Sequence, residues 1–343
     1  MKRFMEQIVQ NDGLKNRICS DILMGSFSHA YIIEGVKGSG KHSIARLSAA
    51  ALSCERKNDD SVPLPCGKCE ACRKILEFLS PDVITVGTEG KATLGVDSIR
   101  FMREDVYTPP NDLEHKIYII EDADKMTVQA QNAFLLTLEE PPAYAGFILL
   151  CENAGALLET IRSRAPILRT EPISRQNIDR YITANDKRAA TLKATAPKDY
   201  AELIAASENG IGKALSLLEP KELSPILERR RLAKDFIALA TSNCSHKDAF
   251  ALLGRFSQKR DALSEELKLI YVALRDLAIL KKSESAELCF YETREAALEA
   301  SDAARTSELF RLISIVSDSI DSITRNANVR LTMISLMSEI GML

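Results

Sequence analysis

A phosphate-binding loop is indicated by the segment EGVKGSGKHS at residues 34–43. Its glycines, Gly35, Gly38 and Gly40, would let successive backbone N–H groups converge on phosphate oxygens, and Lys41 would reach the terminal phosphates. The setting favours this interpretation, because a short apolar run precedes the loop and a helical pattern follows it. The alternative is a glycine-rich turn that binds nothing.

The residue after the loop lysine decides whether magnesium can be held, and here it is His42. The motif expects a Ser or Thr hydroxyl, because Mg²⁺ prefers hard oxygen ligands, whereas an imidazole nitrogen suits zinc or copper better. Ser43 has a hydroxyl, but one further residue along a helix rotates a side chain by about 100°. We therefore expect ATP and Mg²⁺ to bind weakly or not at all.

An acidic pair follows the apolar run of IYIIEDAD, as Glu121 and Asp122. At the end of a buried strand, such a pair normally supplies an Asp for magnesium and a Glu that activates water. Here the two lengths are interchanged, and a displacement of about 1 Å can cost about 100-fold in rate. The alternative is that both carboxylates only solvate the end of the strand.

Four cysteines lie close together in the sequence, at Cys54, Cys66, Cys69 and Cys72. Four thiolates with this spacing are typical of a tetrahedral Zn²⁺ site that is closed to substrates and therefore structural. An iron–sulfur cluster is the alternative, since Cys-x2-Cys-x2-Cys also occurs in ferredoxins. In ferredoxins the fourth cysteine usually lies downstream, whereas here it lies upstream, which favours zinc.

The elements that must position these residues alternate between strand and helix up to about residue 170. Four apolar runs predict four buried strands, and the helices between them predict a parallel sheet with helices on both faces. The first helix is predicted at residues 3–24. Beyond residue 170 the pattern is helical, with long amphipathic helices predicted at 225–242, where Ser224 would be the N-cap, and at 306–341.

Composition limits the class of protein further. The 343 residues carry a formal net charge of −3, which argues against a protein that coats nucleic acid by itself. The sequence has no apolar run long enough for a membrane span and no signal-peptide pattern at its start, so we expect a cytoplasmic protein with no membrane partner.

Taken in their order and spacing, several segments resemble one family. The sequence is similar to the AAA+ subunits of the bacterial sliding-clamp loader of DNA polymerase III over about residues 1–220. The segments that carry the resemblance are HAYIIEGVKGSGKHS, CGKCEAC, KIYIIEDADKMTVQAQNAFLLTLEEPP and TIRSRAP. The resemblance implies an AAA+ P-loop α/β domain at 1–170 with a zinc module inserted at 54–72. It also implies a helical lid at 171–220 and an all-α C-terminal collar at 221–343.

Within that family the sequence resembles the delta-prime (stator) kind more than the ATP-hydrolysing gamma/tau kind. Besides His42 and the reversed acids, the stretch at residues 151–153 places Glu152 where the motor has a polar sensor of the γ-phosphate. Gly212, beside Lys213, stands where the motor has a nucleotide-contacting arginine. The resemblance thus implies a degenerate nucleotide site without intrinsic ATPase activity. It also implies that the chain is a component of the polymerase holoenzyme, which as a complex is a nucleotidyltransferase.

The resemblance also implies a role in trans for Arg164, within Ser163-Arg164-Ala165. In the family, this arginine completes the ATP site of the neighbouring subunit. The alternatives are that Arg164 forms an interface ion pair or caps a carbonyl, or that Arg162 is the operative residue. The implied partners are gamma/tau and delta subunits and, through the complex, the sliding clamp and primed DNA. Two other functions stay open: an active gamma/tau-type ATPase that uses Lys41, and a non-enzymatic zinc-stabilised scaffold.

Overall fold

The computed structural model describes residues 4–5, 7–88, 90–242, 245–283 and 287–342. The chain divides into two compact units. One unit comprises the described residues up to Asn177 together with Asn209–Gly212, and the other comprises Ile178–Glu208 and the described residues from Lys213 onward. No helix in the described ranges is both long enough and apolar enough to cross a membrane.

A parallel sheet lies at the centre of the first unit. Its strands are β1 (Ala30–Glu34), β2 (Val83–Val86), β3 (Lys116–Ile120), β4 (Ala145–Cys151) and β5 (Ile167–Arg169). Their spatial order is β2-β3-β4-β1-β5, and every pairing is parallel. Strands β1, β3 and β4 are buried almost throughout, which explains why their sequences are continuous apolar runs.

Two apolar layers flank the sheet because successive strand residues point to opposite faces. In β3, Ile117 and Ile119 pack on one side, and Tyr118 and Ile120 pack on the other. The helices of the first layer are α1 (Asp12–Leu23), α2 (Lys41–Leu52) and α3 (Glu70–Leu76), and those of the second are α4 (Val96–Asp105), α5 (Val128–Glu139) and α6 (Glu159–Arg162). The predicted α/β P-loop architecture is confirmed.

The helix predicted at residues 3–24 is wrong in its first part. Helix α1 begins only at Asp12, because Asn11 has a left-handed backbone with a φ of 60°. Upstream of it, Phe4 forms a β-bridge with Leu64, and the Met5 N–H donates to the Leu64 carbonyl at 2.8 Å. Phe4 and Met5 therefore pair with the cysteine-containing insertion instead of extending the helix.

Strand β5 lies beyond the four strands that the apolar runs predict. It has three residues, of which Ile167 and Leu168 are half-buried and Arg169 is exposed. A run this short, without a buried face, carries no period-2 signal. Its place beside β1 nevertheless brings Thr170 and Arg169 to the edge of the sheet where the phosphate loop begins.

The rest of the chain is helical. Its helices are α7 (Arg175–Asn185), α8 (Lys187–Thr195), α9 (Pro197–Ala206), α10 (Ile211–Ser216), α11 (Pro220–Ala240), α12 (His246–Leu253), α13 (Arg260–Leu280), α14 (Arg294–Asp302), α15 (Thr306–Thr324) and α16 (Val329–Ile340). Helix α13 lies at the centre of the second unit, where its buried face packs against α11, α14 and α15. The all-α tail is confirmed, while the boundaries at residues 170 and 220 stay a prediction.

A buried ion network ties α9 to α11 within this second unit. The Glu202 carboxylate accepts hydrogen bonds from Arg230 and, at 2.6 Å, from Lys234. Lys234 also donates to Glu292, and Arg230 donates to the Phe290 carbonyl. The side chains of Arg230 and Glu202 are only 3% and 14% exposed, so each charge depends on the other for compensation.

Two helix predictions in this unit are wrong in their limits. Helix α11 starts at Pro220, so Pro225 lies inside the helix instead of at its first position after a Ser224 cap. The region predicted as one helix at 306–341 is two helices, because Asn326 adopts a φ of 68° and ends α15. Asn328 then caps α16, since its side chain accepts from the Leu331 N–H at 3.2 Å.

Candidate nucleotide and metal sites

The phosphate loop runs from the end of β1 to the start of α2. Gly38 and Gly40 have φ angles of 81° and 86°, a left-handed backbone that favours glycine. Gly35 is required for a different reason, because a Cβ there would lie 1.9 Å from Oγ1 of Thr170, just after β5. Thr170 Oγ1 also hydrogen-bonds Ser39 Oγ at 3.1 Å, so the loop is fastened to the neighbouring strand.

Lys41 is directed back into its own loop. Its ammonium group donates to the Gly35 carbonyl and, at 2.9 Å, to the Val36 carbonyl, and the residue is only 8% exposed. Burial lowers the pKa of Lys41, while the negative charge of Glu152 opposes that shift. The charge that a triphosphate would need is therefore engaged by loop carbonyls.

The two positions that would handle magnesium and water contact each other. Nδ1 of His42 lies 2.8 Å from Oε1 of Glu121, so the two side chains are in contact. Ser43 is exposed at the next position of α2. The strand order places Glu121 opposite α2, so the two motifs predicted separately from the sequence do meet at one edge of the sheet.

Asp122 and Glu152 complete the acidic side of this edge. Asp122 has a left-handed backbone with a φ of 50°, and its carboxylate pairs with Lys125 at 3.1 Å. The Glu152 N–H donates to Oδ2 of Asp124 at 3.2 Å. The carboxylate of Asp122 is thus held by a neighbour on its own turn.

Residues 209–212 lie against the same loop, as part of the first unit. The Gly212 N–H donates to the Gly38 carbonyl at 3.3 Å, and a Cβ on Gly210 would lie 3.0 Å from the backbone of Gly38. Gly212, predicted to replace a nucleotide-contacting arginine, therefore contacts the loop through its backbone.

Glu34 is not identified by the sequence motifs, although its contacts hold the start of the phosphate loop in place. Its Oε1 accepts from the Ala154 N–H at 2.9 Å, and its Oε2 accepts from Arg169 Nε at 2.7 Å. The bond from the Ala154 N–H is the main reason that the pKa of Glu34 is lowered. An acidic residue that ends a buried strand just before a glycine was the available signal.

Arg164 lies elsewhere, directly after α6. Its guanidinium donates to Oε1 of Glu139 at 3.1 Å and to the Thr160 carbonyl at 3.1 Å, and its side chain is 37% exposed. Arg162 donates through Nε to the Leu157 carbonyl at 3.2 Å. A role for Arg164 in a neighbouring subunit stays a prediction.

The four predicted cysteines form one cluster. The sulfurs of Cys54, Cys66, Cys69 and Cys72 all lie within 4.8 Å of one another, and those of Cys66 and Cys72 are 3.9 Å apart. A tetrahedral ion with Zn–S bonds of about 2.3 Å needs sulfurs about 3.8 Å apart, so the cluster fits such an ion. In an iron–sulfur cluster the thiolates bind several irons, which this close approach does not favour.

The backbone around the cysteines supports thiolates. The N–H groups of Cys69 and Cys72 donate to the sulfurs of Cys66 and Cys69 at 3.4 and 3.5 Å. The turn between Cys66 and Cys69 contains Gly67, whose φ is 67°. A hydrogen bond with Cys72 lowers the pKa of Cys54.

The chain is similar to subunits of DNA polymerase III. Residues 10–174 match the family described as DNA polymerase III, delta subunit. The chain is 33% identical to DNA polymerase III subunit tau of Bacillus subtilis over 215 residues, which is 62% of this chain and 37% of that protein. It is 28% identical to subunit tau of Escherichia coli K12 over 214 residues, 62% of this chain and 32% of that protein.

Among solved structures, a gamma-subunit-related protein of DNA polymerase III from Thermotoga maritima aligns with 94% of this chain and 98% of its own. The TM-score is 0.42 and the sequence identity is 19%. The chain spans only about a third of the length of the two tau subunits, whose further regions have no counterpart in the matched segment.

Proposed function

This chain belongs to the AAA+ family of clamp-loader subunits of DNA polymerase III, and from that premise we propose that it is a subunit of the delta-prime kind. In this role it helps a loader built with gamma/tau and delta subunits to place the sliding clamp on primed DNA. It contributes little or no ATP hydrolysis of its own.

One observation carries this proposal: the contact of 2.8 Å between His42 and Glu121. It fills the position of the magnesium-binding hydroxyl with an imidazole and engages the carboxylate that would activate water. Lys41, bound to loop carbonyls, supports the same interpretation. Lys41 and Glu121 thus each contact another group of this chain, and the hydroxyl expected at position 42 is replaced by an imidazole.

Catalysis then depends on the neighbouring subunit's nucleotide, toward which we propose that Arg164 acts. A guanidinium inserted beside a γ-phosphate stabilises charge in the transition state. Arg164 is partly exposed, and its partner Glu139 is 51% exposed, so the contact that holds it is weak. Exchange of Glu139 for a phosphate as the partner of Arg164 therefore costs little.

We propose structural Zn²⁺ as the ion of the cysteine cluster. Cys54 follows α2, Cys72 lies in α3, and the Cys72 thiol contacts the Ala50 carbonyl at 3.6 Å. When bound, the ion would join the loop-rich insertion to the end of α2. The chemistry that it supplies is cross-linking, because four thiolates leave no coordination position open.

Reconstitution with gamma/tau and delta subunits tests the proposal. ATP turnover stimulated by clamp and primed DNA is measured with wild type, Arg164→Ala, Arg162→Ala and Lys41→Ala. We expect Arg164→Ala alone to reduce turnover, by about 10³-fold or more at the site that it completes. Loss of turnover in Arg162→Ala instead would reassign the trans role.

An active gamma/tau-type ATPase is the second candidate, and the tau subunits among the relatives favour it. It requires Mg·ATP turnover by the isolated chain that Lys41→Ala abolishes. Such turnover, observed with a preparation free of other subunits, would replace the stator proposal.

A further inference from the structure

A charged cavity of about 550 Å³ lies within the second unit, apart from both sites described above. Arg229 and Arg231 of α11 line it, together with Arg255, which follows α12, and Glu266 of α13. Its volume is in the range of small-molecule sites. The residues Glu228-Arg229-Arg230-Arg231 stand out in the sequence as a charge run.

The residues of this charge run lie on different sides of helix α11. Arg230 is buried on the opposite side, in the network with Glu202, whereas Glu228, Arg229 and Arg231 reach the cavity. Positions 225, 228, 229 and 232 follow the spacing of one helix face, so the cavity is a built groove between α11 and the segment from α12 to α13.

The three cavity arginines differ in their partners. Arg255 pairs with Asp235 at 2.7 Å, and Arg231 lies 3.7 Å from Asp199. Among the residues that the structure describes, none forms a hydrogen bond or salt bridge with the guanidinium of Arg229, which is half-buried. A half-buried guanidinium without a hydrogen-bonded partner can bind an anion that presents two oxygens to its donor fork.

Two carboxylates also line the cavity, and the charge of Arg229 acts on one of them, Glu266. Glu266 is 8% exposed, its Oε2 accepts from the Ser257 N–H at 3.0 Å, and burial raises its pKa. Glu228 is exposed on the rim. Three guanidinium groups and two carboxylates line the cavity, and Arg229 is the arginine among them that has no hydrogen bond or salt bridge with any described residue.

We propose that this cavity binds a phosphate-type oxyanion, with Arg229 as its principal ligand and Arg231 and Arg255 alongside. The phosphate can belong to a small polyphosphate or to a nucleic-acid backbone, because both present the same oxygens to a guanidinium. The inference is independent of the clamp-loader role and of the phosphate loop.

Calorimetric titration of the full chain at low ionic strength, without magnesium, tests it with two probes. Pyrophosphate represents the small ligand, and a short single-stranded oligonucleotide represents the backbone. The variants are Arg229→Gln, Arg325→Gln, which removes an exposed arginine of the same unit outside the cavity, and Lys41→Ala. Circular dichroism verifies that each variant is folded.

We expect at least one probe to bind wild type, and Arg229→Gln to weaken that binding at least about 10-fold. Arg325→Gln should retain wild-type affinity, and Lys41→Ala measures any binding of the probes in the phosphate loop. Binding of pyrophosphate alone assigns a small ligand, and binding of the oligonucleotide assigns a backbone. The proposal is overturned if neither probe binds, if both arginine variants lose affinity equally, or if Lys41→Ala abolishes binding, which would place the ligand in the phosphate loop.

Discussion

Replacement of His42 by Thr tests directly whether this residue disables the nucleotide site. The side chains of His42 and Glu121 are 61% and 35% exposed, so their contact contributes at most about 1 kcal/mol to folding. We therefore expect His42→Thr to fold normally, with an unfolding midpoint within about 4 °C of wild type. A larger loss would show that the contact is a major determinant of stability.

The effect on nucleotide binding should be larger than the effect on stability. Release of Glu121 alone accounts for up to about fivefold in affinity, since the contact is worth at most about 1 kcal/mol. The threonine hydroxyl adds an oxygen ligand for Mg²⁺ where the motif places it. We expect at least about a tenfold gain in affinity for ATP that depends on Mg²⁺. Turnover should remain low, because the lengths of Glu121 and Asp122 are unchanged.

Equilibrium dialysis of ATP with and without Mg²⁺ measures this gain. His246→Thr is the matched control, because His246 is exposed at the start of α12 in the other unit. If His42→Thr binds ATP no better than wild type with Mg²⁺ present, the imidazole is not what disables the site. If wild type already binds and hydrolyses Mg·ATP, the proposal that this nucleotide site is inactive is wrong.

Three further predictions follow from the contacts. Metal analysis should find one zinc ion per chain, and Cys72→Ser should lose it and lower the unfolding midpoint by at least about 4 °C. Glu202→Ala leaves Arg230 buried without its carboxylate, so the free energy of unfolding should fall by about 3–5 kcal/mol, measured with urea. The pKa of Glu34 is lower in the folded chain than its ordinary value of 4.5, so its carboxylate stabilises the fold above pH 4.5, and this contribution is lost as pH falls. Glu34→Gln should thus differ most from wild type in thermal stability above pH 4.5, and the difference should shrink in more acidic buffer.

For each of these three predictions, a substitution at a residue of the same type elsewhere in the chain is the control. Cys289→Ser lies outside the cysteine cluster and should keep zinc; iron with acid-labile sulfide in wild type would contradict the zinc assignment. Glu265→Ala removes an exposed partner of Lys268 and should cost under about 1 kcal/mol. Glu159→Gln, at an exposed position, should show no such pH-dependent difference. A difference for Glu34→Gln that is constant from neutral to acidic pH would refute the linkage.

The parts of the fold that the sequence predicts are those with a strong local pattern. Strands β1, β3 and β4 are buried on both faces, so each is a continuous apolar run that needs no partner to be recognised. Strand β5 has no such run, and its existence depends on pairing with β1. The stop of α15 at Asn326 depends on one left-handed residue, which asparagine permits but does not require.

The candidate site also has residues that the sequence identifies and contacts that it does not predict. The glycines, Lys41 and the cysteines are recognisable because motif spacing identifies them. The contact of His42 with Glu121 and that of Glu34 with Arg169 join residues far apart in the chain, and only the strand order brings them together. The hydrogen bonds from Lys41 to the loop carbonyls depend on the conformation of its side chain. The sequence does not specify that conformation.

The crowding of Gly35 by Thr170 bears on how nucleotide fingerprints are interpreted. At position 35 the Cβ of any other amino acid would collide with the side chain of Thr170, just after β5, whether or not ATP binds. Glycine is therefore required at position 35 as long as residue 170 is threonine. The first glycine of the motif is thus explained by tight packing at the edge of the sheet. It is expected both in an active enzyme and in an inactive protein with the same packing.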